Sequence, residues 1–357
     1  VLTIFGSFHY QFGTIQIESR RGKMLNWGLV GASTIAREHM IGALRSVPHG
    51  QVSWLVSGDA TRAAAVAGEF GIGQSTDDLA RMLADPGVDA VYISSTNEKH
   101  HGQALAAIAA GKHVLCEKPL ALTVAEAVTM VEAAAHAGVV FGTNHHLRCA
   151  GSHRAIRGLI ASGRIGQVLS VRVHHAVFLP PHLQGWRIND PAAGGGVIPD
   201  ITVHDADTVR FLLSDEPVSV VAQAGVSGMG HGVEDSVMSV WTMASGAMVM
   251  AHESFTHRFA GTGIEVHGTL GSVLATGVMT QRPVGEIQLV TAAGREAVPF
   301  SADDLYATAV GEFAGAVNDG GRPAADGQDG VRSLAIACAV RDAAESGTRV
   351  SLDWSAL

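Results

Sequence analysis

The chain has 357 residues, 47% of them hydrophobic and 16% charged, with a formal net charge of -9. That length suits two domains, each able to bury its own core, and no apolar run approaches the roughly 20 residues that span a bilayer. The negative charge argues against nucleic acid and anionic membrane as partners, and three widely spaced cysteines, Cys116, Cys149 and Cys338, suit reduced thiols in a cytoplasmic protein.

Eighteen histidines raise the question of a metal. No His-Glu-x-x-His or Cys-x-x-Cys spacing occurs, and His100-His101, His145-His146 and His174-His175 are adjacent pairs. Adjacent residues on a strand point to opposite faces, so no metal site is expected.

Residues 1–23 mix aromatics, glycines and β-formers without a sustained period and end in the polar run Glu18-Ser19-Arg20-Arg21-Gly22-Lys23. The paired arginines suggest an export signal, but the apolar stretch and cleavage site of such a signal do not follow. Met24 leads directly into a strand instead. The expectation is that translation naturally begins there and that 1–23 lie outside the fold.

Residues 26–31, Asn-Trp-Gly-Leu-Val-Gly, read as a short buried strand that turns into a helix running to about residue 45. This is the place for a dinucleotide fingerprint, with Gly31 in the first glycine role, Ser33 in the second and Ala36 in the third. Together with Ala32, Thr34 and Ile35 they would form the phosphate turn, where helix amides offer a positive pole to an anion. The second strand, 52–56, ends in Ser57 rather than in the acid that usually binds a ribose 2′-hydroxyl. Ser57 with Arg62 suits a 2′-phosphate, since a guanidinium meets phosphate with charge and a fork of donors. Asp59 complicates that reading unless its carboxylate turns away.

Strands and helices then alternate. A helix is expected over 76–83, a strand over 89–93, a polar loop at 94–97, a helix over 100–110 and a strand over 114–116. A helix over 123–136 and a strand over 139–143 follow. Apolar strands alternating with helices predict a doubly wound parallel sheet over 24–147. The turn Glu117-Lys118-Pro119 stands at the carboxyl end of one such strand, where open α/β sheets place their ligands. Alone it would be an ordinary surface turn.

From 148 the pattern changes. A helix over 153–162, a strand over 170–178, a Pro- and Gly-rich loop, and a helix carrying Asp200, His204, Asp205 and Asp207 come first. Six strand-like stretches between 218 and 290 and helices over 303–317 and 327–345 finish the chain. This half predicts an α+β domain with a largely antiparallel open sheet over 148–357.

These motifs coincide in a known pattern. The chain from Met24 resembles the glucose–fructose oxidoreductase / inositol dehydrogenase / rhizopine-catabolism (Gfo/Idh/MocA) family. The likeness is carried by Thr96-Asn97-Glu98-Lys99-His100, by the run from Ala110 through Glu117-Lys118-Pro119, and by Gly194-Gly195-Gly196 through Asp200 and His204. It implies an NADP-binding Rossmann domain with Ser94, Thr96, Asn97, His100, Glu117 and Lys118 along the cofactor, and a sugar-binding second domain. Longer stretches around Gly31, Gly142, Leu179 and Asp200 point within the family to NADPH-dependent reduction of 1,5-anhydro-D-fructose to 1,5-anhydro-D-mannitol. Asp200 and His204, four apart on a helix, would share a face. The carboxylate would then orient the imidazole as general acid. Lys118 would polarise the substrate oxygen, while Trp186 and Arg187 would cover the sugar ring. Another sugar or inositol dehydrogenase and a non-catalytic NADP-binding sensor remain open alternatives, and self-association through the open sheet face is a further expectation.

Overall fold

A computed structural model describes residues 24–46 and 50–355; the expectation for 1–23 lies outside them. The first half is a six-stranded parallel sheet in the order β3-β2-β1-β4-β5-β6. In chain order it runs β1 (Asn26–Val30), a π-helical turn (Ala36–Met40), α1 (Ile41–Ser46), β2 (Gln51–Val56), α2 (Ala60–Phe70), β3 (Gln74–Thr76) and α3 (Leu79–Leu83). Then come β4 (Ala90–Ile93), α4 (Asn97–Ala109), β5 (His113–Cys116), α5 (Val124–Ala137) and β6 (Phe141–Thr143). Side chains that alternate along each strand fill two cores. Leu29, Leu55 and Tyr92 face one layer, and Val30, Val56 and Ile93 face the other. The sheet is therefore buried on both sides, as a parallel sheet must be.

One expectation fails locally. The helix over 76–83 begins only at Leu79, because Thr76 pairs with Val56 as the end of an added edge strand. Asp78 then caps the helix by accepting from Ala80 N–H.

The second half continues with α6 (Gly151–Ala161), β7 (Val168–Ala176), the short α7 (Pro181–Gln184), a second π-helical turn (Ile198–Thr202) and α8 (Val203–Leu213). The strands β8 (Pro217–Gly225), β9 (Ser236–Met243), β10 (Met248–Ser254), β11 (Gly263–Gly268), β12 (Gly271–Thr276), β13 (Glu286–Thr291) and β14 (Gly294–Ala297) follow. The chain ends with α9 (Leu305–Asp319), α10 (Gly327–Ser346) and β15 (Val350–Ser351). The nine-stranded sheet is antiparallel except where β10 pairs with β7. Trp241, Phe255, Val171 and Val173 lie on its covered face, under α6 and α8. The other face carries exposed Met238, Val240, Met248 and Met250.

The last helices do not stay with this sheet. Leu305, Tyr306, Val310 and Phe313 of α9 complete the core on the α1 side of the first sheet, where Phe313 meets Trp27 at 5.4 Å. Val331 and Leu334 of α10 pack on the opposite side, while Ile336 and Val340 of the same helix join the second core. The C-terminal helices thus straddle the two halves.

Candidate active site

The nucleotide end starts at Gly31. Its φ of +105° suits glycine alone, and an added Cβ would stand 2.7 Å from the Ser94 carbonyl carbon. The bare backbone leaves a cradle at the head of the helix, the shape a pyrophosphate needs. Ser33 accepts from Ala36 N–H and donates to Ser94 Oγ at 2.8 Å, so its hydroxyl braces the turn internally. Thr34 and Ile35 open the helix and Ala36 is fully buried beneath it. Arg62 donates from Nη2 to the Ala32 carbonyl at 2.6 Å, which holds the guanidinium beside the turn. Asp59 accepts from Arg62 N–H as the cap of α2, so its carboxylate is engaged with the helix amides. Half-buried Ser57 closes β2, its N–H on Thr76 O. The residues fit a dinucleotide.

At the ends of β4 and β5 the expected residues divide into supports and open groups. His100 is fully buried, its ring nitrogens 2.8 Å from Pro119 O and 3.1 Å from Ser95 O, so it ties the two strand ends together. Glu117 is also buried, accepting from Tyr92 Oη and Asn144 Nδ2, both at 2.6 Å, and burial raises its carboxyl. Asn97 donates to Gly194 O at 3.1 Å and binds the glycine loop of the second half to α4. Thr96 stays partly open at the head of α4.

Lys118 carries the site across to the second half. Beyond it the Lys118–Pro119 bond is cis. Its Nζ donates to Asp200 O at 2.7 Å and to Asp200 Oδ1 at 3.0 Å. Arg187 Nε approaches Asp200 Oδ2 at 3.4 Å and its guanidinium lies 4.8 Å over the Trp186 ring. Burial opposes ionisation of Asp200, but Lys118 and Arg187 outweigh it and hold the carboxyl at about 2. One anion therefore gathers Lys118, Arg187 and Trp186.

His204 stands beside them but is not oriented by Asp200. Its Nδ1 is buried without a partner, while the Asp200 carboxylate turns to the two cations. The two residues are joined by a π-turn at Ile198–Thr202 rather than by a regular α-helix. Burial, followed by the charges of Lys118 and His146, lowers His204 well below the usual imidazole range. The ring packs edge-on at 4.9 Å against His146, which stacks at 4.7 Å on Tyr306 of α9.

Several of these residues escaped the sequence reading. His146 comes from the turn after β6, and Tyr306 reaches the site only because α9 returns to the first core. His174 and His175 do face opposite sides of β7: His174 approaches Glu265 on the open face, and His175 bonds Asp205 at 2.7 Å beneath α8. Behind the site, Arg148 donates to Asp207 at 2.7 Å from both Nε and Nη2 and to Asp329 at 2.8 Å from Nη1. Among the described residues, no group of three or more His, Cys, Asp or Glu side chains is arranged to hold a metal ion. No helix among them is long and apolar enough to cross a membrane.

Residues 25–145 match the model of the Gfo/Idh/MocA oxidoreductase family with an NAD-binding Rossmann fold, and residues 153–274 match the Gfo/Idh/MocA C-terminal domain. The chain belongs to that family. It is an oxidoreductase with a Rossmann domain of the NAD(P)-binding type. It is 54% identical over 331 residues to 1,5-anhydro-D-fructose reductase of Ensifer adhaerens, covering 92% of this chain and 99% of that one. Identity with inositol 2-dehydrogenase of Rhizobium meliloti (strain 1021) is 33%, over 90% of this chain and 97% of the relative. Levoglucosan dehydrogenase in complex with NADH and levoglucosan superposes with a TM-score of 0.81 at 25% identity, covering 92% of this chain and 99% of that one.

Proposed function

We propose that the chain reduces 1,5-anhydro-D-fructose to 1,5-anhydro-D-mannitol with NADPH. The observation that carries this reading is the meeting of Lys118 from the first half with Asp200, Arg187 and Trp186 from the second, beside His204. Trp186 with Arg187 offers an apolar face and a donor fork, which suits a sugar ring. Bound along Gly31–Ala36, Ser57 and Arg62, a nicotinamide dinucleotide supplies the hydride. Lys118, held by Asp200, donates to the carbonyl oxygen and stabilises the charge that develops on it. His204 supplies the proton to that oxygen as general acid. Preference for NADPH is supported by the lack of an acid at Ser57, by Arg62 beside the turn, and by Asp59 turned into its helix cap.

The test is NADPH consumption with 1,5-anhydro-D-fructose, glucose and fructose, and NADP+ reduction with myo-inositol. Reduction of the anhydro ketone well above the others is expected. Oxidation of myo-inositol as the main activity would favour a dehydrogenase, the reading supported by the likeness to inositol 2-dehydrogenase. No turnover with any of them would favour a sensor. We further propose that two copies associate through the open sheet face, where Met238, Val240, Met248 and Met250 form an apolar centre and Arg172 and Glu265 a charged flank.

A further inference from the structure

Behind His204 the second half buries two carboxyl groups that the chemistry above does not use. Asp205 on α8 and Glu253 on β10 are both 0% exposed. The parallel ladder pairs Glu253 with His175 of β7, so both side chains rise from neighbouring strands toward α8. Asp205 meets them there. Its Oδ1 accepts from His175 Nδ1 at 2.7 Å, and its carboxyl abuts that of Glu253, which also lies by the Thr202 hydroxyl. Asp205 Oδ2 and both oxygens of Glu253 are buried with no donor. Against a single imidazole, two ionised carboxylates at this depth repel strongly. One proton between them turns a carboxyl into a donor and satisfies the contact.

We propose that Asp205 and Glu253 share one proton, and that the pair fixes His175 with its Nδ1–H on Asp205. Burial acts in the same direction, raising the carboxyl of Asp205 and raising that of Glu253 well above the ordinary range. The side chain of His175 is 13% exposed. Asp205 follows His204 on α8, so the imidazole that Asp205 holds is anchored one residue along the helix from His204. The pair releases no proton during turnover. It holds the imidazole of His175 in one tautomer.

Two measurements that need no turnover test this. At neutral pH the infrared difference between the wild-type protein and Glu253→Gln should contain the C=O band of a protonated carboxyl group. Only carboxylate bands in that difference would overturn the shared proton. Glu253→Gln is chosen because its amide can donate where the proton did. Nitrogen-15 spectra of the histidine side chains, with His175→Gln identifying the His175 signals, should show a protonated Nδ1. A bare Nδ1 would overturn the positioning. If the protein turns over no sugar, the two spectra still decide the matter.

Discussion

His204 is the residue whose environment says most about the reaction. Its lowered imidazole is neutral through most of the physiological range, and the charged form gains weight as pH falls below the ordinary value of 6.5. A reductase that needs the imidazolium as acid should therefore quicken toward acidic pH and slow toward alkaline pH. His204→Ala should lower kcat by about 10²–10⁴-fold, with dinucleotide affinity unchanged because the residue lies outside the Rossmann half. Single-turnover NADPH oxidation separates this from slow product release. Wild-type hydride transfer in the variant would pass the acid role to Lys118. At the other end of the dinucleotide, Ser57→Asp places a carboxylate beside Arg62. It should weaken NADPH by like-charge repulsion and admit NADH through its ribose hydroxyls. Comparing kcat/KM for the two cofactors checks this. Equal efficiencies before the substitution would remove Ser57 and Arg62 as the discriminating pair.

At the scale of elements, most strands were legible from their apolar runs or alternation, and several helices from the acid or hydroxyl that caps them. Thr123 and Glu126 form the capping box that starts α5, and Gly138 ends it in the left-handed region. The π-turn at Ile198–Thr202 was not legible. Nothing in Pro199-Asp200-Ile201-Thr202 distinguishes a widened turn from an ordinary first turn, and nothing local says that Asp200 meets Lys118, 82 residues away, rather than His204. The placement of α9 was hidden for another reason: its apolar stripe says that it packs, not on which half. The join that α8 and α10 make also depends on pairing over long separations. Arg148 holds Asp207 of α8 and Asp329 of α10 in a buried fork, and Arg210 reaches Asp329 at 3.4 Å. Arg148→Ala would leave buried Asp207 with Arg210 at 3.9 Å as its remaining arginine, and a loss of about 3–5 kcal/mol is expected. A chemical denaturation midpoint within error of wild type would show that Arg210 and Arg322 neutralise the cluster without it.

For the whole molecule, the buried histidines and the open sheet face set the behaviour in solution. His100, His145, His146, His153 and His204 are all lowered by burial, His153 to about 4. Groups whose folded values are depressed contribute stability that is whole above the unfolded value of 6.5 and lost as pH falls through the folded values. The melting temperature should therefore drop progressively from neutral pH toward pH 4, and His153→Gln should flatten part of that slope; an unchanged slope would remove His153 from it. The sheet face makes the last prediction. Alternation along β9 and β10 sends Val237, Trp241, Val249 and Ala251 into the core and Met238, Val240, Met248 and Met250 outward. On the ladder Met250 stands between Val240 of β9 and Arg172 of β7, so the apolar centre passes directly into the Arg172–Glu265 flank. Such a face, apolar in the middle and charged at one side, suits a second copy laid across it. A glutamate at its centre would have to be desolvated in that contact, whereas in a lone molecule it stays in water. Met250→Glu should thus shift sedimentation toward the monomer while leaving kcat and melting of the monomer near wild type, since the side chain touches neither core nor cleft. A wild-type protein that sediments as a monomer at all concentrations would show that the face is left to solvent.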